Sequence, residues 1–134
     1  MADLKELSVS LLGSAVINMQ TNTKQTIYTV PTDKVMVPVA IVVRTPSATL
    51  AGAVDSDFGG TAATDWLAEV TLAGLTGVTH QCIIMQPAQA AGPPIVPAQN
   101  IIHAAAVAFG ITVNTDSTGA ATVTMDLYGY LYDA

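Results

Sequence analysis

The chain has 134 residues, 51% of them hydrophobic and only 10% charged, with a mean hydropathy of +0.49. Ten acidic residues against Lys5, Lys24, Lys34 and Arg44 give a net charge of −6, which excludes the clustered basic surface that nucleic-acid binding requires. Cys82 is the sole cysteine, so no internal disulfide is possible and the fold rests on packing.

Ordinary domains carry about 25% charged residues. This chain has too few to cover its own surface as a free monomer, and burial against copies of itself or a partner is expected. The length fits one domain with a two-layer core, read as an N-terminal arm over 1–12 and a single β-sandwich over 13–134. In the arm, Leu4, Leu7 and Leu11 match a helical stripe, while Leu7, Val9 and Leu11 match strand alternation. Residues 7–17 have the length of a signal core, but Asp3, Lys5 and Glu6 sum to a negative charge and no small-x-small cleavage site follows. No signal peptide is therefore expected. Nor does any apolar run reach the roughly 18 residues of a membrane span, so no membrane partner is expected.

Gly13 reads as a break, Ser14–Gln20 as a strand and Thr21–Lys24 as a polar loop. Ile27–Val30 is β-branched and aromatic, and Pro31 to Lys34 is turn chemistry. Val35–Val43 is almost continuously apolar up to Arg44. The simplest reading is a hairpin whose second strand is covered on both faces, with Pro38 marking a strand edge or a bulge.

Ala48–Val54 is expected as a strand and 55–66 as a loop rich in Asp and Gly. Asp65 either caps one helical turn through Glu69 or precedes a Trp66 that plugs one end of the sandwich. Val70, Leu72 and Leu75 make a short apolar segment. Val78–Met85 is a strand with Ile83 and Met85 on one face and His80, Cys82 and Ile84 on the other. The prolines of 87–97 make that stretch a surface loop. Residues 101–113 alternate as a strand kinked at Gly110, a reading preferred to an alanine-rich helix over 104–108. Asn114–Gly119 is a hairpin loop. In the final strand, Ala121–Tyr132, Val123, Met125, Leu127, Gly129 and Leu131 share one face and Thr122, Thr124, Asp126 and the tyrosines the other. About eight strands separated by Gly and Pro turns predict an all-β fold, an antiparallel β-sandwich of jelly-roll type.

Three constellations carry candidate chemistry. His80 and Cys82 share a strand face with His103 as the only further nitrogen ligand, too little for a thiol nucleophile or zinc without another oriented group. Asp55, Asp57, Gly59 and Thr61 imitate a calcium loop that lacks its trailing bidentate Glu. Tyr128, Tyr130 and Tyr132, with Trp66, could stack on sugar rings or serve as core or interface aromatics. No catalytic residue, metal or cofactor is assigned, and no enzyme activity is expected.

The stretch 27–34 with its apolar strand to Arg44, the central 57–60 and Asp65-Trp66, and the closing strand 123–132 together resemble small structural proteins of tailed-bacteriophage particles. These are jelly rolls that decorate or cement the capsid or form the base of head spikes. The resemblance implies a non-enzymatic virion protein, assembled in the host cytoplasm, whose partners are itself, with a trimer favoured, and the major capsid protein or another virion protein. A head-spike base, a tail component and a carbohydrate-binding jelly roll are the alternatives. The expected latches are Leu4, Leu7 and Leu11 of the arm and Pro93, Pro94, Ile95 and Val96 of the proline-rich loop.

Overall fold

The computed structural model describes residues 8–77, 82–86 and 102–134. Among these residues there is no helix, and eight strands follow in order: β1 Ser10–Asn18, β2 Gln25–Thr29, β3 Lys34–Arg44, β4 Ser56–Gly59, β5 Leu67–Val70, β6 Cys82–Met85, β7 Ala108–Val113 and β8 Thr122–Asp133. They form two four-stranded sheets, ordered β1-β8-β3-β6 and β2-β7-β4-β5, with every pairing antiparallel. The ladders join β1 to β8, β2 to β7, β3 to β6 and β4 to β5, as if one long antiparallel ribbon, folded at its middle, were rolled so that successive pairs fall in alternate sheets. That is the jelly roll.

The last strand alternates as its sequence demands. Val123, Met125 and Leu127 are buried between the sheets, and they meet Ile17, Ile41 and Val43 from their own sheet and Phe58, Phe109 and Ile111 from the other. β3 is a central strand with one face in this core and the other only half-buried, so it is not covered on both faces. Pro38 sits where the β3–β8 register shifts, between Pro38 and Ala40, and a bulge there lets a residue without an N–H occupy a central strand.

Several local expectations are corrected. The turn between β2 and β3 closes through the Lys34 amide to the Pro31 carbonyl at 3.1 Å, but the strands it joins lie in different sheets, so 27–44 is a crossover and not a hairpin. Val30 stays with the second sheet, exchanging backbone bonds with Ala106 and Val107. Residues 114–119 likewise carry the chain from β7 in one sheet to β8 in the other. Gly13 does not end the strand: β1 runs through it from Ser10, and only the β1–β8 register shifts, between Leu11 and Gly13. Residues 48–54 are irregular, because the Leu50 amide bonds the Leu75 carbonyl and the Ala53 amide folds back to Leu50. Part of the expected 55–66 loop is β4, and 67–70 is strand instead of a helical turn. β7 starts only at Ala108, after a turn in which Ala106 takes φ 64°, and Gly110 lies within it as a point of close approach to the Gln25 carbonyl. The 78–81 portion of the strand expected over 78–85, and the loop expected over 87–97, lie outside the described residues.

Candidate interaction face

Because β8 turns Val123, Met125 and Leu127 inward, Thr124, Asp126, Tyr128, Tyr130 and Tyr132 stand on the outer face of the first sheet. The β3 ladder sets Val42 beside Asp126, Ala40 beside Tyr128, Val37 beside Tyr130 and Val35 beside Tyr132. On the other flank β1 sets Val16 beside Thr124 and Leu11 beside Tyr128. β6 adds Ile84 next to Val42 and Cys82 next to Arg44. The result is a broad apolar and aromatic surface. Its rim is open: Val16 is 70% exposed, Ile84 66% and Leu11 54%. The Tyr130 and Tyr132 rings lie 6.1 Å apart at 31°, a tilted pair at the C-terminal end of the tyrosine row on central strand β8.

One ionic group interrupts this surface. Asp126 is only 6% exposed although it points away from the core. Arg44 donates to it from Nε at 2.6 Å and from Nη2 at 3.3 Å, and the Ser14 hydroxyl donates at 2.6 Å. The hydrogen bond from Arg44 holds the Asp126 carboxyl below its usual range, with Ser14 and the Arg44 charge adding to the effect and burial opposing it. The same contact raises the Arg44 guanidinium. The pair is thus neutralised in place and bridges three strands, β1, β8 and β3.

The other constellations are structural in their contacts. Trp66 is buried, its ring edge-on to Phe109 with centroids 5.6 Å apart, so it belongs to the core and is separated from the tyrosine row. His103 is also buried and edge-on to Phe109, at 5.0 Å, and its backbone pairs with Met36 to tie the approach to β7 onto β3. Burial lowers the His103 imidazole, with the Asp65 charge opposing, so the ring is neutral near pH 7. Nearby, Asp65 accepts from the Gly60 and Ala62 amides, capping a turn of the loop instead of a helix, while the Lys24 ammonium donates to the Gly60 and Ala108 carbonyls. Cys82 is exposed on the apolar face and His103 lies inside the sandwich, so no thiol–imidazole pair forms between them; His80 lies outside the described residues.

The Asp55 and Asp57 carboxylates do not converge on an open site. Asp57 accepts from the Glu69 amide at 2.9 Å and from Asn114 Nδ2 at 2.7 Å, and Asp55 accepts from the same Asn114 nitrogen at 3.3 Å. Among the described residues no group of three or more His, Cys, Asp or Glu side chains is placed to hold a metal ion.

Of the expected latch residues, Leu11 stands on the apolar face, whereas Leu4, Leu7, Pro93, Pro94, Ile95 and Val96 lie outside the described residues. The residues that sequence reasoning missed are Val16, Val42 and Ile84 and the Ser14–Asp126–Arg44 bridge. A partial signal exists, since the 121–132 alternation places Asp126 among the tyrosines and Arg44 ends the longest apolar run. The register that joins them is set by long-range pairing. Compared with known proteins, the chain matches no family model, no curated protein and no solved structure.

Proposed function

We propose that the chain is a non-enzymatic structural protein of a bacteriophage particle, which decorates or cements the capsid surface by packing against copies of itself and against capsid protein. The observation that carries the assembly part of this reading is the apolar outer face of the first sheet, with Val16, Leu11 and Ile84 left open around a row of tyrosines. A surface of that kind functions by being covered. The jelly-roll topology supports the same reading, because a rigid two-layer scaffold can present such a face repeatedly around a shell. The particle itself comes from the resemblance of 27–44, 57–60, Asp65-Trp66 and 123–132 to small virion proteins. A head-spike base or a tail component uses the same chemistry at another place on the particle.

Immunogold labelling tests this. An antibody raised against the chain is applied to phage particles purified from a lysate of the source culture. Label distributed over heads is the expected result, and label at a vertex or on tails moves the assignment to spike base or tail. Particles without label, from a lysate that contains the free protein, would overturn the reading. One observation favours a second reading: half-buried Tyr130 and exposed Tyr132 have the spacing of an aromatic platform, and a carbohydrate-binding module would show glycan-array binding that Tyr132→Ala abolishes.

A further inference from the structure

We infer that the outer face of the β1-β8-β3-β6 sheet is the surface through which two copies of this chain pair, face to face about a two-fold axis. The inference deepens the assembly reading and rests on it only for its biological setting. Three observations converge on a second copy as the occupant.

Size is the first. The four strands comprise 9, 12, 11 and 4 residues. At a rise of about 3.4 Å and a strand spacing of about 4.8 Å they cover about 600 Å² in plan. Side-chain relief adds to that, which puts the face in the range of the roughly 800 Å² each partner contributes to a stable interface. The composition fits an interface core as well, with tyrosines and branched aliphatics in the middle strands and no lysine among them except at the Lys34 end.

Charge is the second. The ionic groups of this sheet are compensated where they stand, Arg44 by Asp126 and Lys34 by Asp133 at 2.6 Å. The other described acids, Asp33, Asp55, Asp57, Asp65, Glu69 and Asp116, lie in loops or on the second sheet and are offset only by Lys24 among the described residues. Two copies each carrying a net charge of −6 repel one another through any of those acidic surfaces. Through the neutral face they meet without opposing like charges. Burying Arg44 and Asp126 there desolvates a pair that is already hydrogen-bonded, not a lone ion.

Symmetry is the third. A head-to-tail contact needs a second, complementary apolar patch, and the outer side of the second sheet offers none at its centre: Asp57, Gly59 and Gly110 are buried there, with Ala62, Ala63 and Asp65 close over Gly59 and the Gln25–Thr26 backbone against Gly110. The other exposed large apolar side chains among the described residues, Val9, Val54 and Ile102, stand singly outside the strands. An apolar face with no counterpart of its own size makes an isologous contact.

The experiment is light scattering on the purified full chain at about 100 µM, for the wild type and for Ile84→Lys and Val42→Lys, with circular dichroism and thermal unfolding of each. Ile84 is exposed, so its variant folds even if the more enclosed Val42→Lys does not. The expected result is a wild-type mass of twice 13.8 kDa and a monomer for Ile84→Lys at unchanged Tm. A monomeric wild type, a trimer, or a dimer indifferent to Ile84→Lys overturns the inference, as does a monomer whose face instead binds a glycan. The labelling experiment reads a separate property. A monomer found on particles removes this inference and leaves the virion assignment standing, whereas a dimer that Ile84→Lys breaks, absent from particles, does the reverse.

Discussion

The two outer faces of the sandwich are built from one chain by one rule of alternation, yet they hold opposite materials. The first sheet turns Tyr128, Tyr130, Tyr132, Val42 and Ile84 outward, whereas the outward side of the second holds Gly110, Thr112, Asp57 and Gly59, of which all but Thr112 are buried under the chain's own loops and backbone. Each face carries one aspartate on a central strand. Asp126 is held by a cation and a hydroxyl, and Asp57 by a backbone amide and the Asn114 side chain. The difference teaches where each face does its work. On the second sheet polar contacts and bare backbone fasten loops and strands to one another, so that face serves the fold. The first sheet's face spends large side chains where the fold does not use them, and only the Ser14–Asp126–Arg44 bridge on it ties strands together.

The most damaging change at outward-facing strand positions is therefore on the quieter side. A Cβ at Gly110 would collide with the Gln25 carbonyl and come within 2.9 Å of the Thr26 Cα, so Gly110→Val must push β2 off β7. Overpacking of this kind costs about 3 kcal/mol, to be read from urea unfolding. A loss below about 1 kcal/mol would mean that β2 moves freely and that the second sheet is not fastened as described.

Next comes Asp57→Ala, which leaves the Glu69 amide without its acceptor and Asn114 Nδ2 with only its longer bond to Asp55. Glu69 holds φ 57°, a left-handed conformation that a non-glycine residue keeps only when its contacts fix it. The expected loss is about 1–2 kcal/mol, with faster amide exchange confined to 67–70. Exchange spread evenly over the chain would show that Asp57 does not act locally on β5.

How far this contrast could be read from the sequence depends on which level of structure carries it. The 121–132 alternation sorted both faces of β8 correctly, and a proline inside an apolar run narrowed Pro38 to a strand edge or a bulge, of which the structure has the bulge, because both signals are local. The turns at 31–34 and 114–119 were legible as reversals, but Pro, Asn and Gly chemistry says only that the chain turns back, and in a sandwich it can turn back into the other layer. β4 was hidden because Asp57 and Gly59 are poor strand formers. Its pairing is supplied by β7 and by the Asn114 and Glu69 donors that lie 57 and 12 residues away. The apolar face was half visible: its β8 half follows from alternation, whereas Val16 and Ile84 join it only through register.

The ionic bridge of the first face gives a pH test. Asp126 is held below its ordinary value of 3.8 in the folded chain, so its contribution is fully present above about pH 4 and is lost as pH falls through the folded value. Asp126→Asn should lower Tm at pH 7 and flatten the Tm–pH curve below about pH 4 relative to the wild type. Parallel curves displaced by a constant would show that the carboxylate's charge is not what ties β1, β8 and β3 together.

The smallest effect is expected where the apolar surface is most exposed. Val16→Thr and Ile84→Thr remove hydrophobic area that lies 70% and 66% open, so each should leave the unfolding free energy within about 0.5 kcal/mol of wild type. The measurement is again urea unfolding, at a concentration low enough to hold the chain monomeric. A loss near 2 kcal/mol would mean that these side chains pack on the fold after all, and the two faces would then differ only in composition. A neutral result has a sharper consequence. Exposed valine and isoleucine do nothing for the monomer's stability and make it less soluble, so their place on a chain with only 10% charged residues has to be explained by what covers them.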